Sequence, residues 1–428
     1  MNFPESVDYL VSLGNEVSAM KLGLENIRRL LVELGDPQTK YLKVQVAGTN
    51  GKGSVCAFLN SICVGAWIKT GMYTSPHLVS ITERIQIDSH QIGDNDFARL
   101  ATRTRQTSET LVGRGELQSV PTFFEQVTAI ALLAFAEANV ELAILETGLG
   151  GRLDATTAVN AEIAAITRID LDHQQYLGET IEEIAAEKAA IIHEGSRVVI
   201  GEQKPEAMRV ILERCREQGI EPVIASAIME GGNPTGREGA SVSPTLSLPP
   251  LGLAGRHQIE NARIALTLAD ILRDDFPISD ARIIAGLETA RHPGRLEFSG
   301  RFLFDGAHNA GGARALREFL DEFIDRPITL IFGSMDDKDV IEIASIIFPT
   351  VDRLILTRPD NSRAMTSQEL LKVVPRNGPA QKVLEADDVR SALELALDVS
   401  GPNDLILVTG SLYLVGEVKQ LLAARAGI

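Results

Sequence analysis

Seven consecutive residues, Gly48-Thr49-Asn50-Gly51-Lys52-Gly53-Ser54, bring together three glycines, a lysine and two hydroxyls. Glycines let successive backbone N–H groups converge on an anion, and a helix starting there adds partial positive charge. A lysine reaches the outer phosphates, and a hydroxyl is a ligand for Mg²⁺. The segment therefore reads as a phosphate loop. It departs from the common G-x-x-x-x-G-K-[ST] string because Gly53 stands between Lys52 and Ser54. Its context supports it nonetheless. An apolar strand-like run, 43–47, leads in, and beyond the loop Val55, Phe58, Leu59 and Ile62 recur at a helical apolar spacing.

Other reactive groups share the same layout. Glu146 ends the apolar run 141–145 and opens Glu146-Thr147-Gly148-Leu149-Gly150-Gly151-Arg152-Leu153-Asp154-Ala155. Asp170, Asp172 and His173 come after the run 161–167, and Asp305-Gly306-Ala307-His308-Asn309 after 301–304. Ligands of open α/β sheets bind at the carboxyl ends of strands, where all three groups fall. Taken singly, a strand-end Glu reads as a solvated or capping residue and a lone His as a hydrogen-bonded one. Lys188, in a helical pattern with Glu183 and Glu187, reads on spacing alone as a solvated lysine.

Positioning these groups requires alternating strands and helices. Further short apolar runs occur at 197–200, 328–332, 353–357 and 404–408, with helical patterns between most of them. Continuous apolar strands separated by amphipathic stretches predict an α/β fold with mostly parallel sheets covered on both faces. The segment 229–253, rich in Gly, Pro, Ser and Thr, breaks the rhythm and predicts a surface excursion or irregular hairpin. The punctuation His292-Pro293-Gly294 divides the 428 residues into domains 1–293 and 294–428. A net charge of −17 repels nucleic acid and anionic membrane, so neither is an expected partner, and any phosphate site must carry its own cations. Three cysteines are too few for a disulfide framework and suit a reducing, cytoplasmic location. The N-terminal residues lack a basic stretch leading into an apolar one, so no signal peptide is expected, and no apolar run is long enough to span a bilayer.

The loop 48–54, with Thr74-Ser75-Pro76-His77-Leu78 and Glu83-Arg84-Ile85, resembles the folylpolyglutamate synthase and dihydrofolate synthase family of the Mur ligase superfamily. The resemblance continues in order through Phe123-Phe124-Glu125, residues 146–155, Leu171-Asp172-His173, Glu187-Lys188-Ala189 and Gly255-Arg256-His257-Gln258-Ile259-Glu260-Asn261-Ala262. Pro293-Gly294-Arg295, residues 305–309, Asp337-Lys338-Asp339 and Gly410-Ser411-Leu412-Tyr413 complete it. It implies a two-domain Mur-ligase-like architecture: an N-terminal phosphate-loop ATPase domain with a mostly parallel sheet, and a smaller Rossmann-like C-terminal α/β domain.

By that resemblance ATP is held by residues 48–54 with Asn261, Arg295, Asp305 and His308. Two Mg²⁺ sites are expected from Ser54, Ser75, Glu146, His173 and a carbamylated Lys188. Lys52, Lys188, His173 and Arg295 take the catalytic roles. Leu22, Gly23, Leu24, Glu25, Thr122, Phe123, Phe124, Glu125, Leu153, Asp154 and Ala155 match positions that hold dihydropteroate. Phe124 reads equally as a pterin-stacking ring or as a core aromatic. The implied reaction joins L-glutamate to the carboxylate of dihydropteroate, to the γ-carboxylate of a reduced folate, or to both, through an acyl phosphate. A monomer is expected. Three positions depart from the family pattern, namely Ala310 after Asn309, Thr157 after Thr156, and Asp170 before Leu171. Two other classes are disfavoured. The loop begins too early, at Gly48, for an upstream UDP-binding domain, and a guanine-type Asn-Lys-x-Asp signature is absent.

Overall fold

The computed structural model describes residues 1–14, 23–225, 248–374 and 382–426. Leu22 and most of the 229–253 excursion lie outside these. The chain divides into two compact units. The first comprises Met1–Pro76, Ile81–Gly252 and Glu260–Arg291; the second comprises His77–Ser80, Leu253–Ile259 and His292–Ile428.

Among the described residues the first unit holds one eight-stranded sheet. Its strands are β1 (Leu42–Ala47), β2 (Thr70–Tyr73), β3 (Ile85–Ile87), β4 (His90–Gln91), β5 (Leu142–Glu146), β6 (Ile163–Ile166), β7 (Arg197–Ile200) and β8 (Val223–Ile224). The order is β4-β3-β2-β5-β1-β6-β7-β8. From β2 to β8 all neighbours are parallel; only β2–β3 and β3–β4 are antiparallel. β1 lies between β5 and β6, with Val46 beside Glu146 in register. Such a central strand is covered on both faces, which explains its buried aliphatic residues. The polar Gln45 in its middle is also buried. On one side of the sheet, the apolar Phe123–Ala138 helix packs into a core with Tyr73, Leu145, Leu30 and Phe97. A separate cluster joins Ile166 and Ile200 to Ile184, Ala185 and Ile211 of two helices.

The second unit holds a six-stranded sheet: β9 (Glu297–Ser299), β10 (Phe302–Phe304), β11 (Ile328–Phe332), β12 (Arg353–Leu356), β13 (Lys382–Glu385) and β14 (Leu405–Thr409). Its order is β13-β12-β11-β14-β10-β9, and only β9–β10 is antiparallel. Aliphatic clusters on its two faces, one with Leu330 and Leu407 and one with Ile331 and Val408, give the covered parallel sheet its alternating registers.

The α/β class expected from the sequence is what forms. The strands the sequence left unmarked are short or edge-lying: β3, β4, β8, β9 and β13 have two to four residues each. β2, Thr-Gly-Met-Tyr, has no apolar run at all. It is a strand by its ladders with β5 and β3, and Gly71 lets the Phe135 ring lie against its backbone, where a Cβ would come within 2.5 Å.

Candidate active site

β1 ends at Ala47, and the chain turns through Gly48–Gly51 into the Lys52–Gly65 helix. Gly51 sits at the helix start with φ +91°, a conformation that disfavours L side chains, and a Cβ there would collide with the Asn261 carboxamide. No side chain caps this helix, the arrangement in which a helix start can offer backbone donors to an anion. The loop is braced by the end of β6. The Thr49 amide donates to the Arg168 carbonyl (2.9 Å), and the Thr167 hydroxyl donates to the Asn50 carbonyl (2.8 Å). Asp170, one of the departures from the family pattern, joins this brace. Its carboxylate pairs with Lys204 (2.9 Å) and Arg168 (3.2 Å) and accepts from the Asn50 carboxamide (3.4 Å), while its backbone exchanges hydrogen bonds with the Thr49 hydroxyl.

Two lysines meet at this loop. Lys52 Nζ donates to the Gly48 carbonyl (3.1 Å) and the Thr49 carbonyl (3.3 Å), and Lys188 Nζ donates to the same Gly48 carbonyl (2.9 Å). Lys188 lies in the Ile181–Ala189 helix and is only 4% exposed, which overturns the solvated reading. Burial, then the Lys52 charge, brings its amine down to about 7, against the opposing pull of Asp172, Asp154 and Glu187. His173 takes the left-handed conformation (φ 51°) at the start of the Gln174–Leu177 helix, its amide bonded to the Asp172 carboxylate (2.9 Å). Glu146, buried at the end of β5, accepts from the Ser75 amide (3.2 Å), so Ser75 and Glu146 are adjacent; Ser54 is buried in the first turn of the Lys52–Gly65 helix.

Magnesium prefers hard oxygen ligands and retains water or phosphate oxygens in its shell. Among the described residues no group of three or more His, Cys, Asp or Glu side chains is arranged to hold a metal. The candidate donors are instead the Ser54 and Ser75 hydroxyls, the Glu146 carboxylate and the His173 ring, and Lys188 is a buried lysine whose amine is brought down to about 7. This set fits Mg²⁺ where a triphosphate and a lysine carbamate complete the oxygens.

The remaining first-unit candidates fall on one stretch. Thr122 caps the Phe123–Ala138 helix and shares a capping box with Glu125, whose second oxygen Oε1 is buried without a hydrogen-bond partner. The Phe124 ring lies against Gly148, where a Cβ would sit 2.5 Å from it, and 6.0 Å from the Tyr73 ring. Phe123 is buried under the Arg84 guanidinium, 5.4 Å from the ring centroid. Leu153 is exposed, and Asp154 and Ala155 are buried. Both Asp154 oxygens serve the loop itself, accepting from the Gly148, Leu149 and Thr156 amides and the Thr156 hydroxyl. Burial pushes this carboxyl up against those bonds. Gly23 precedes the Glu25–Glu33 helix, Leu24 packs in the core, and Glu25 is exposed.

In the second unit, β10 delivers Asp305, whose buried carboxylate accepts from the Leu296 amide (3.0 Å) and the Ala307 amide (2.9 Å). Burial raises its carboxyl, opposed by the nearby Arg295. Burial also holds His257 down at about 4 and His292 at about 3, with Arg295 adding to both shifts. His308 Nδ1 bonds the Gly306 carbonyl (2.8 Å), and Asn309 caps the Ala310–Phe323 helix. Sequence reasoning missed Gln45; its one signal is a carboxamide between Val44 and Val46 in the central strand.

A parallel sheet whose central strand runs through an uncapped glycine loop into a helix, with lysines gathered on that loop, is the architecture of a phosphate-loop protein. Residues 46–269 match the Mur ligase middle domain, and residues 294–412 match the Mur ligase glutamate ligase domain. The chain is 32% identical to the Bacillus subtilis dihydrofolate synthase/folylpolyglutamate synthase, over 94% of this chain and 95% of that protein. It is 36% identical to the Haloferax volcanii "probable bifunctional folylpolyglutamate synthase/dihydropteroate synthase" over 98% of this chain, and it spans about half the length of that relative. Among solved structures, Escherichia coli FolC in complex with DHPP and ADP superposes with a TM-score of 0.84 at 28% identity, covering 100% of this chain and 99% of that one. A Yersinia pestis bifunctional folylpolyglutamate synthase/dihydrofolate synthase complexed with AMPPNP and Mn ion gives 0.82 at 28%, covering 99% and 98%. The chain belongs to the Mur ligase superfamily, in its folylpolyglutamate synthase and dihydrofolate synthase family.

Proposed function

We propose that this protein ligates L-glutamate to the carboxylate of dihydropteroate and to the γ-carboxylate of reduced folates, at the expense of ATP. A carboxylate resists amines because it is anionic and lacks a leaving group. Transfer of the γ-phosphoryl group makes an acyl phosphate, and the glutamate amine attacks its carbonyl carbon. The tetrahedral adduct then expels phosphate, leaving ADP as the other product. The observation that carries the reading is the single Gly48 carbonyl that accepts from both Lys52 and Lys188.

In this reading residues 48–54 hold the triphosphate, and Lys52 neutralises charge on the transferred oxygens. Asn261, Arg295, Asp305 and His308 contact the nucleotide. The neutral Lys188 amine attacks CO₂, forming an N–C bond as a C=O electron pair moves to oxygen and the nitrogen loses a proton. The resulting carbamate, with Ser54, Ser75, Glu146 and His173, would hold two Mg²⁺ ions, which would supply further charge neutralisation at the phosphates. Gly23–Glu25, Thr122–Glu125 and Leu153–Ala155 form the acceptor side, together with Leu22, and the Phe124 face stacks on the pterin. Residues 1–293 are the ATP-binding domain and 294–428 the glutamate-ligase domain. A cytoplasmic monomer completes the proposal; Cys56, Cys63 and Cys215 are free and buried, and among the described residues no helix is long and apolar enough to cross a membrane.

The purified protein, given ATP, Mg²⁺ and L-glutamate, is expected to release phosphate with dihydropteroate and with tetrahydrofolate. No release with either sinks the ligase reading, and release with tetrahydrofolate alone removes its dihydrofolate synthase half.

A further inference from the structure

Gln45 is 1% exposed, in the strand that ends in the phosphate loop, and its carboxamide has a directed task. The two Nε2 hydrogens go to two hydroxyls, Thr156 Oγ1 and Thr157 Oγ1, each at 2.8 Å. Each hydroxyl, having accepted, passes its own proton on. Thr156 donates to Asp154 Oδ1, and Thr157 donates to the Gly151 carbonyl (2.7 Å). Asp154 Oδ2 in turn accepts from the Gly148 amide (2.8 Å) and the Leu149 amide (2.9 Å). Every bond in this chain has one sense only, because reversing the amide would leave Asp154 and Gly151 without their hydroxyl donors.

The loop so held, 147–157, is pinned at both ends of its functional surface. Gly148 supports the Phe124 ring, and Gly151 lies against the backbone carbonyls of Glu187 and Lys188, where a Cβ would come within 2.6 and 2.9 Å. The Arg152 amide donates to the Glu187 carbonyl (2.9 Å). Thr157, another of the departures from the family pattern, is thus one of the two hydroxyls that Gln45 holds.

We propose that Gln45 is a positioning residue for the acceptor. Through two threonine hydroxyls it fixes the loop carrying Leu153, Asp154 and Ala155 in register with the strand that feeds the phosphate loop. This rests on the proposed function, in which that loop meets the acceptor.

The test uses Gln45→Leu, which keeps volume and removes the donors, and Thr157→Val, which removes one hydroxyl isosterically. Dihydropteroate binding is titrated calorimetrically, and the KM values of dihydropteroate and ATP are taken from phosphate release. Each variant is expected to weaken dihydropteroate in both measurements by about tenfold, the scale of a lost buried hydrogen bond. The KM of ATP is expected to stay within about twofold, and Thr157→Ser to keep wild-type affinity. The two losses share one chain, so the double variant should be no worse than Gln45→Leu. Unchanged dihydropteroate affinity in either folded variant overturns the proposal, as does equal weakening of ATP and dihydropteroate. Should Gln45→Leu not fold, Thr157→Val and Thr157→Ser decide alone. A wild-type chain that binds no dihydropteroate overturns the dihydrofolate synthase half of the functional reading along with this proposal, whereas an active wild type with unaltered variants overturns this one only.

Discussion

The chain contains two strand-to-helix corners built to the same plan and used in opposite ways. At the first, β1 turns through Gly48–Gly51 into a helix with no capping side chain. At the second, β10 turns through Asp305–Asn309 into a helix whose first turn is closed by the Asn309 carboxamide, which accepts from the Gly312 amide at 2.8 Å. The first corner has no capping side chain and carries lysines. The second caps its helix with Asn309 and holds the Asp305 carboxylate with two amides of its own unit. A strand-end corner can offer its first backbone donors to an anion only when its cap is withheld. Where the chain supplies its own cap, the corner is a rigid frame for side chains.

The two corners differ most at the lysines. Lys52→Ala is expected to leave the fold intact and lower ligation by roughly 100- to 1,000-fold, as loss of a transition-state charge partner does; turnover near wild type would remove Lys52 from the phosphate site. Lys188→Ala is expected to lower activity on a similar scale, with partial recovery when short carboxylic acids are added. Activity that neither falls nor responds to acetate would refute the carbamate.

Gly51→Ala should come next. A left-handed alanine costs about 1–2 kcal/mol, and its Cβ meets Asn261, so ATP affinity measured by titration should drop by about tenfold or more. Wild-type affinity would mean that Gly51 is dispensable to the loop.

The Lys188 amine also predicts a pH dependence in CO₂-free buffer. Its folded value of about 7 lies below the ordinary 10.5. Between those values the unfolded chain binds more proton, so stability should rise with pH from about 7 upward and lack this contribution below it. Thermal unfolding of the wild type and Lys188→Met across that window checks the sign. Equal slopes in the two proteins would show that the buried amine is not the cause.

The smallest effect belongs to the second corner. Asn309→Ala should cost about 1 kcal/mol of stability as a lost N-cap, without the ATP-affinity loss of Gly51→Ala. A comparable loss of ATP affinity would erase the distinction between the corners.

Much of the first corner is legible in the sequence because its chemistry is local. Glycines, lysine and hydroxyl occupy seven adjacent positions, and an aliphatic run before them announces the strand. The Asp305–Asn309 corner is legible for the same reason. Lys188 is not, because its spacing with Glu183 and Glu187 is that of a surface helix; only the packing of that helix against the loop makes it 4% exposed. Asp154 matches a substrate-holding position, yet its carboxylate is occupied by amides of residues 148 and 149 and by Thr156. Gln45 leaves only the faint mark of a carboxamide between two valines, and β2 leaves none.

Sequence alone determined the alternation of strands and helices and the phosphate-loop corner, since periodicity, glycine and capping act within a few residues of one another. Tertiary structure decided which charges were stripped of water and which polar groups met across long separations. Lys188 reaches the Gly48 carbonyl over 140 positions, and Gln45 reaches Thr156 over 111. Burial and hydrogen-bond direction depend on what the whole sheet brings together, and no local stretch of chain encodes them.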